Sequence, residues 1–386
     1  MSVLHKWVKS EAAGGVILII AAGLALILAN AGWSAEGYQH FLHFTPGGVT
    51  TGEHPHDILF WINDALMALF FLLVGLEVKR ELVNGALSSK QQALFPLIAA
   101  LGGMIAPALV FLAFNGSHPV IRTGWAIPTA TDIAFALGIL ALLGSRVPPV
   151  LKVFLMALAV IDDLGAIVII ALFYSSHIAW GAMALVVAAV AVLALMNRAQ
   201  VSSRLPYLVV GGVLWVAVLL SGIHATIAGV VLGLMMPVKG LPDTAAAPRL
   251  THTLEPWIRW LVLPLFAFAN AGVVVGDISL SQAFSSLPAG IVAGLLVGKP
   301  LGVTLACWLS LRLGLTRLPL NTGIRDIAAI GVLCGIGFTM SIFIASLAYG
   351  QDAAQLINAA KLGILGGSVL SAVAGYLLLR RRYSLP

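Results

Sequence analysis

Long apolar runs separated by short polar stretches make up most of this chain. Each run has roughly the length that a helix needs to cross a bilayer, about 20 residues. Because the runs are continuous and do not alternate apolar with polar positions, they favour helices over a membrane barrel. The pattern predicts an all-α integral membrane protein with twelve transmembrane helices, segments one to twelve, at about 11–31, 58–77, 94–114, 121–143, 150–174, 179–196, 206–220, 223–237, 257–275, 287–311, 327–349 and 357–379.

Two of the segments are interrupted at their centres. Segment four contains Pro128 and, close behind it, Asp132, whereas segment eleven contains Gly335 and Gly337. Proline removes a helical hydrogen bond, and glycine lowers the cost of non-helical backbone. Each interrupted segment is the middle member of a triplet, 3–5 and 10–12, which predicts two structural repeats with broken helices. Two ordinary kinked helices are the alternative.

Composition and charge placement support a membrane protein with a defined orientation. Of 386 residues, 60% are hydrophobic and 9% are charged, whereas soluble domains carry about 25% charged residues. With the N-terminus inside, eighteen of the 21 cationic residues fall at inside ends or loops, Arg122 falls outside, and Lys299 and Lys361 lie within segments. The positive-inside rule therefore predicts that both termini are cytoplasmic.

The same residues argue against other partners and sites. The cations are scattered over many loops, so we expect no nucleic-acid partner. Cys307 and Cys334 both lie inside segments, which indicates neither a disulfide framework nor a zinc site. We expect no cofactor.

Four ionisable residues lie near the centres of their segments: Asp132, Asp162, Asp163 and Lys299. A charge at this depth costs on the order of 3 kcal/mol, so such residues indicate function. Adjacent helical residues point about 100° apart, so one aspartate can face a cavity while its neighbour faces a helix, and Lys299 is the natural partner for one of them. Grouped carboxylates, with Thr131 as a further oxygen ligand, suit protons or a hard cation. Competition between the two for one site predicts an exchanger.

Other functions are compatible with parts of this pattern. A structural ion pair explains one aspartate only. Sodium-coupled uptake of an organic anion would need a dedicated cation for the anion. An intramembrane aspartyl protease would place its aspartates on separate facing helices, and a channel would favour rings of like charge.

Several motifs resemble the NhaA family of bacterial Na⁺/H⁺ antiporters over nearly the whole chain. The matching stretches lie at 61–67, 70–81, 130–135, 159–165, 298–302 and 334–343. The resemblance implies inverted repeats whose broken helices, segments four and eleven, cross at mid-membrane. It also implies a core bundle of 94–174 and 287–379, and an interface panel of 1–93 and 175–286 that forms a homodimer in the bacterial inner membrane. The implied activity is electrogenic exchange of cytoplasmic Na⁺ or Li⁺ for external H⁺ by alternating access, with no enzyme chemistry and with membrane lipid as surroundings.

The resemblance also assigns roles to the central residues. Asp163 is the principal cation ligand and proton carrier, and Asp162 alternates between a proton or cation and Lys299. Asp132 offsets the positive N-terminal ends of the half-helices and Lys299 the negative C-terminal ends.

Activation at alkaline pH is implied through ionisable residues at the cytoplasmic entrance. Those that match the family are Glu77, Arg80, Glu81 and His252. His224, near the outer end of segment eight, matches a residue implicated in the same response. The loop at 248–255 departs from familiar members, with Pro248 in place of Lys, Thr251 in place of Glu and Glu255 in place of His. We expect pH activation to survive with a shifted midpoint or steepness.

Overall fold

The computed structural model describes residues 11–48, 50–51, 54–85, 87–175, 178–238, 245–277, 279–350 and 353–383. Nearly all regular structure in these ranges is helical, as the apolar runs predict. In the first half of the chain the helices are α1 (Glu11–Asn30), α2 (Ala35–Leu42), α3 (Ile58–Asn84), α4 (Lys90–Asn115), α5 (Ile133–Leu142) and α6 (Pro149–Phe173). Helix α3 contains a π-helical turn at Trp61–Leu66. Three-residue 3₁₀ turns lie at Pro46–Gly48 and Gly144–Arg146, and a longer 3₁₀ segment spans Ile121–Thr129.

The second half of the chain is also helical. Its helices are α7 (Trp180–Arg198), α8 (Arg204–Ser221), α9 (Ile227–Met235), α10 (Ala246–Trp257), α11 (Leu263–Asn270), α12 (Leu280–Ala283), α13 (Ser286–Ala293), α14 (Lys299–Arg312), α15 (Ile324–Cys334), α16 (Phe338–Tyr349) and α17 (Ala354–Arg382). The π-helical turns Ile258–Val262 and Gly294–Gly298 join α10 to α11 and α13 to α14, and a 3₁₀ turn lies at Val275–Asp277.

The described residues contain eight helices that are long and apolar enough to cross a membrane, or ten if each of two bent pairs forms one span. Ten of the twelve predicted segments correspond to these. Segment eight is the nine-residue α9, and segment nine lies in a helical stretch that begins earlier than predicted, at Ala246, and ends at Asn270. The chain is therefore a multi-pass α-helical membrane protein, and the count of twelve spans stays a prediction.

A very short hairpin lies in the connection between α2 and α3. Strand β1 (Thr50–Thr51) pairs antiparallel with β2 (His54–Pro55), with Thr50 opposite Pro55 and Thr51 opposite His54.

Contacts divide the chain into two compact units. The first unit comprises residues 1–31, 89–166 and 270–386, and the second comprises 32–88 and 167–269. In lipid, helices associate through close packing rather than a hydrophobic driving force, so small residues at contacts matter.

Helix packing in the first unit depends on glycines that let backbones touch. The glycine stripe at 290, 294, 298 and 302 packs against α4 and the Ile121–Thr129 segment. A Cβ at Gly302 would lie 2.0 Å from the carbonyl oxygen of Gly102, and one at Gly294 would lie 2.7 Å from the Pro128 ring. This stripe therefore brings Lys299, one residue beyond Gly298, close to the interrupted segment.

In the second unit, α3 and α9 pack at similarly short distances. A Cβ at Gly229 would lie 2.1 Å from the carbonyl oxygen of Ala68. The Lys79 ammonium donates hydrogen bonds to the carbonyls of Leu234 (2.7 Å) and Met236 (2.5 Å), at the C-terminal end of α9. Because these carbonyls have no helical partner and carry partial negative charge, the ammonium stabilises the helix end.

Candidate ion-binding site

The two bent pairs of the first unit contact each other at their breaks. The Ile121–Thr129 segment and α5 meet at 40° across Ala130–Asp132, and α15 and α16 meet at 52° across Gly335–Gly337. The backbone N–H of Asp132 donates to the carbonyl of Ile336 at 2.7 Å. A backbone group freed by one break is therefore satisfied by the other, as non-helical backbone at membrane depth requires.

Asp132 lies at the N-terminal ends of two helices. Its Oδ1 accepts a hydrogen bond from the N–H of Phe135 at 2.9 Å, which caps α5. Its Oδ2 accepts from the N–H of Thr339 at 3.1 Å and from the hydroxyl of the same residue, in the first turn of α16. A carboxylate at this position compensates the positive ends of both helices.

Lys299 and Asp162 form a buried ion pair. The Lys299 Nζ lies 2.6 Å from Asp162 Oδ2, and both side chains are 0% exposed. The same ammonium donates to the carbonyl of Thr129, the last residue of the 3₁₀ segment. The cation thus compensates both a carboxylate and a negative C-terminal helix end.

Thr131 joins Asp162 to the second break. Its hydroxyl lies 2.8 Å from Asp162 Oδ2 and 2.9 Å from the carbonyl oxygen of Cys334. The hydroxyl has one proton, so it donates to one of the two acceptors at a time.

One oxygen at the centre of this arrangement has no hydrogen bond. Asp162 Oδ1 is buried and lacks a hydrogen-bond partner among the described residues. Asp163, the next residue of α6, is 3% exposed. Within the described ranges no three His, Cys, Asp or Glu side chains form a metal-binding group, so a cation here would rely on two carboxylates supplemented by hydroxyl or carbonyl oxygens. Such hard oxygen ligands suit an alkali-type cation or a proton.

The residues expected to respond to pH are partly brought together in the second unit. A cavity of about 200 Å³ is lined by Arg80, His252 and Glu255, together with Pro248 and Thr251. Glu255 pairs with Arg259 at 2.7 Å, four residues along the chain, and Arg80 lies 3.5 Å from Glu81. Glu77 interacts electrostatically with Arg80, Glu81, Glu255 and Arg259.

Glu77 and Glu81 do not line this cavity, and neither does His224. It lies in the turn between α8 and α9, where its carbonyl accepts a hydrogen bond from the N–H of Ile227 at 3.1 Å.

Sequence reasoning missed the backbone contributions to the central site. The carbonyls of Thr129 and Cys334 contact Lys299 and Thr131, and the Ser341 hydroxyl donates to the carbonyl of Ile127 at 2.6 Å. A Ser or Thr near each break was the available signal, because freed carbonyls at membrane depth need donors. The cap that Lys79 provides for α9 was also missed, and no local pattern marks it.

Comparison with known proteins gives one consistent result. The sequence pattern of the family described as Na⁺/H⁺ antiporter 1 matches residues 5–379. Among similar proteins, the Na(+)/H(+) antiporter NhaA of Salmonella typhimurium is 59% identical over 388 residues, covering 100% of both chains. The proteins of the same description from Citrobacter koseri and Escherichia coli O6:K15:H31 are also 59% identical, over 386 and 384 residues and at least 99% of each chain.

Proposed function

The chain belongs to the Na⁺/H⁺ antiporter 1 family, and we propose that its exchange of Na⁺ for H⁺ across the bacterial inner membrane takes place at Asp162 and Asp163. The protein is a transporter and not an enzyme. The observation that carries the site proposal is the buried Asp162 Oδ1, which lacks a hydrogen-bond partner among the described residues and belongs to the residue next to Asp163. A buried carboxylate oxygen without a donor is stabilised by a proton or by a cation.

Competition for these oxygens couples the two ions. In the structure Asp162 is held by Lys299 and by Thr131. Arrival of Na⁺ at Asp163 and Asp162 displaces the ammonium and any bound proton, because the same oxygens cannot hold all three. Loss of Na⁺ on the other side lets protons and Lys299 return. Asp163 is the principal ligand and proton carrier in this cycle.

The contacts around Asp132 and Lys299 give each broken helix a matching charge. Asp132 faces helix N-termini and Lys299 faces a helix C-terminus. We propose that these two residues stabilise the breaks through the transport cycle, while Asp162 changes partner. Alternating access then moves the core of 94–174 and 287–379 against the panel of 1–93 and 175–286, which also forms the homodimer.

The finer properties of exchange are proposed from the family resemblance. More protons enter than sodium ions leave, Li⁺ substitutes for Na⁺, and both termini are cytoplasmic. Alkaline pH activates exchange through the cavity lined by Arg80, His252 and Glu255, with contributions from Glu77, Glu81 and His224. Pro248 and Thr251 add no charge to that cavity, which supports a shifted midpoint or steepness of activation. A pH profile identical to that of a relative with a Lys, a Glu and a His at 248, 251 and 255 would contradict this proposal.

Proton flux in proteoliposomes tests the site directly. Vesicles with an acid interior receive Na⁺, Li⁺ or K⁺ between pH 6.5 and 9, and an internal dye reports the pH gradient. We expect Na⁺ and Li⁺, but not K⁺, to collapse the gradient, with a rate that rises with pH. Asp163→Asn should abolish the response while the protein stays folded.

Asp64→Asn is a matched control, because Asp64 is also an aspartate of a membrane helix, though half-buried where Asp163 is buried, and it has no place in the proposed site. It should keep the Na⁺ response. Sodium-dependent proton movement in folded Asp163→Asn would refute the role of Asp163, and equal loss in both variants would show that the effect is not specific to the site.

A further inference from the structure

A polar cavity of about 380 Å³ lies at one end of the first unit, between the C-terminal ends of α5 and α17. Its lining includes Ser145, Arg146, Tyr376 and Arg380. None of the residues assigned to ion exchange or to its pH response lines it. By the distribution of cations along the chain, this end faces the cytoplasm.

Both arginines of the cavity are available to a ligand. Arg146 and Arg380 are exposed, and neither guanidinium group forms an ion pair or hydrogen bond with the residues that the structure describes. Two guanidinium groups in one cavity repel each other unless an anion lies between them, and guanidinium groups bind phosphate oxygens bidentately. Ser145 and Tyr376 add two hydroxyl donors.

A carboxylate close to the C-terminal end of α17 is already engaged. Asp326 accepts hydrogen bonds from Arg382 Nε at 2.5 Å and from the N–H of Gly323 at 2.7 Å. Partial burial and a hydrogen bond to the same carboxylate raise the pKa of Tyr383 to about 12. Asp326 is therefore held by its own neighbours, and the charge of the two cavity arginines is left for an external anion.

The helix that carries Arg380 also presents an apolar surface leading to the cavity. Val369, Val373, Tyr376 and Arg380 recur at three- and four-residue spacing and so share one face of α17. Val369 is 57% exposed and Val373 is 54% exposed. At 1.5 Å per residue this face extends for about 16 Å from Val369 to Arg380, close to half of a hydrocarbon core of roughly 30 Å.

We propose that this cavity binds the phosphate of an anionic phospholipid in the cytoplasmic leaflet. Arg146 and Arg380 pair with the phosphate, Ser145 and Tyr376 donate to its oxygens, and one acyl chain lies along the exposed valines. A free phosphate would satisfy the arginines equally well, but it would leave the apolar part of this face unexplained. The order along the helix, apolar then aromatic then cationic, matches that of a lipid from chain to headgroup.

Native mass spectrometry of the full-length protein tests the proposal. The protein is delipidated in a neutral detergent and titrated with phosphatidylglycerol, and the fraction with bound lipid is measured. The variant Arg146→Gln/Arg380→Gln removes both cations. Because each cation near an anionic headgroup contributes about fivefold in affinity, we expect the dissociation constant to rise about 25-fold.

Arg317→Gln is the matched control, since Arg317 is an exposed cation of an inside loop that does not line the cavity. It should bind phosphatidylglycerol as the parent protein does. Tyr376→Phe, which keeps the aromatic ring, should show a smaller loss than the double variant. Wild-type protein should bind phosphatidylcholine more weakly, and millimolar inorganic phosphate should not displace phosphatidylglycerol.

Three results would overturn the proposal. Equal lipid binding by the double variant and the parent would show that the cavity is not the site. An equal loss of phosphatidylglycerol affinity in Arg317→Gln would show that lipid binding depends on the overall charge of the protein and not on this cavity. Displacement by inorganic phosphate alone would identify a free anion, rather than a lipid, as the ligand.

Discussion

Replacing Lys299 by methionine tests the buried ion pair quantitatively. Lys299 Nζ lies 2.6 Å from Asp162 Oδ2 with both side chains fully buried, so the variant leaves a carboxylate that keeps only the Thr131 hydroxyl as a donor. Removing one partner of a buried pair typically costs about 3–5 kcal/mol. Methionine preserves most of the aliphatic volume, so little of this loss comes from a cavity. At pH 8.5 we expect the free energy of unfolding to fall by about 3 kcal/mol.

The double variant Asp162→Asn/Lys299→Met separates the charge from the packing. Neutral replacements of a buried pair are often no worse than the pair itself. We therefore expect the double variant to be more stable than Lys299→Met alone, with a coupling energy of about 2 kcal/mol between the two positions. Unfolding is followed by tryptophan fluorescence during a titration with SDS in mixed micelles. Lys361→Met, another lysine of a membrane helix but one without an ion pair in the described structure, should not be destabilised.

Two outcomes would refute this reasoning. If Lys299→Met unfolds at the same SDS fraction as the parent, the ion pair does not stabilise the protein. If the free energy of unfolding of the double variant falls by the sum of the decreases in the two single variants, the two residues are energetically independent despite their contact.

Three further predictions concern neighbouring contacts. Thr131→Val removes the hydroxyl oxygen beside Asp162, which we propose as a further ligand of the cation. If this ligand contributes about 1.5 kcal/mol to binding, the apparent KM for Na⁺ in vesicle flux should rise about tenfold. Gly229→Ala puts a Cβ 2.1 Å from a backbone oxygen of α3 and should lower the thermal midpoint, whereas Gly212→Ala, with nothing within 4 Å, should not. Asp132→Ala removes the cap of α5 and should lower the free energy of unfolding by about 1 kcal/mol in the SDS titration. Asp132→Asn can still cap the helix, so its free energy of unfolding should stay close to that of the parent protein.

Each of these predictions has a result that would contradict it. An unchanged Na⁺ dependence in Thr131→Val would place the hydroxyl outside the binding reaction. Equal thermal midpoints for Gly229→Ala and Gly212→Ala would mean that α3 and α9 separate at no cost. Equal stability of the Ala and Asn variants at Asp132 would show that the cap contributes little.

The sequence predicted the apolar spans well where the runs were long. Limits for α4, α6 and α17 agree with the predicted segments to within four residues. The agreement is poorest at segment nine, because α10 is more polar and extends the helix back to Ala246 without belonging to an apolar run. The start of a helix outside an apolar run cannot be predicted from local composition, since backbone hydrogen bonding and packing determine where the helix begins.

The interrupted segments were also recognisable in advance, for a different reason. Pro128, Gly335 and Gly337 each weaken a helix locally, so their positions in the sequence are enough to mark the breaks. What the residues could not indicate is which backbone groups satisfy the freed donors and acceptors. In the structure Asp132 and Thr131 bond to the break of the other pair, about 200 residues away along the chain.

The sequence by itself determined that this protein lies in a membrane and that a few ionisable groups lie at membrane depth, because hydropathy and the cost of buried charge are properties of local composition. The residue pattern left open which aspartate contacts Lys299, and the family resemblance implied Asp162. The tertiary structure forms this contact, since it depends on the rotation of α6 and on the close approach that the glycine stripe allows. Only the tertiary structure decided that Arg146 and Arg380, two cations 234 positions apart, line one cavity. Contacts between such distant residues follow from helix packing, which no local pattern encodes.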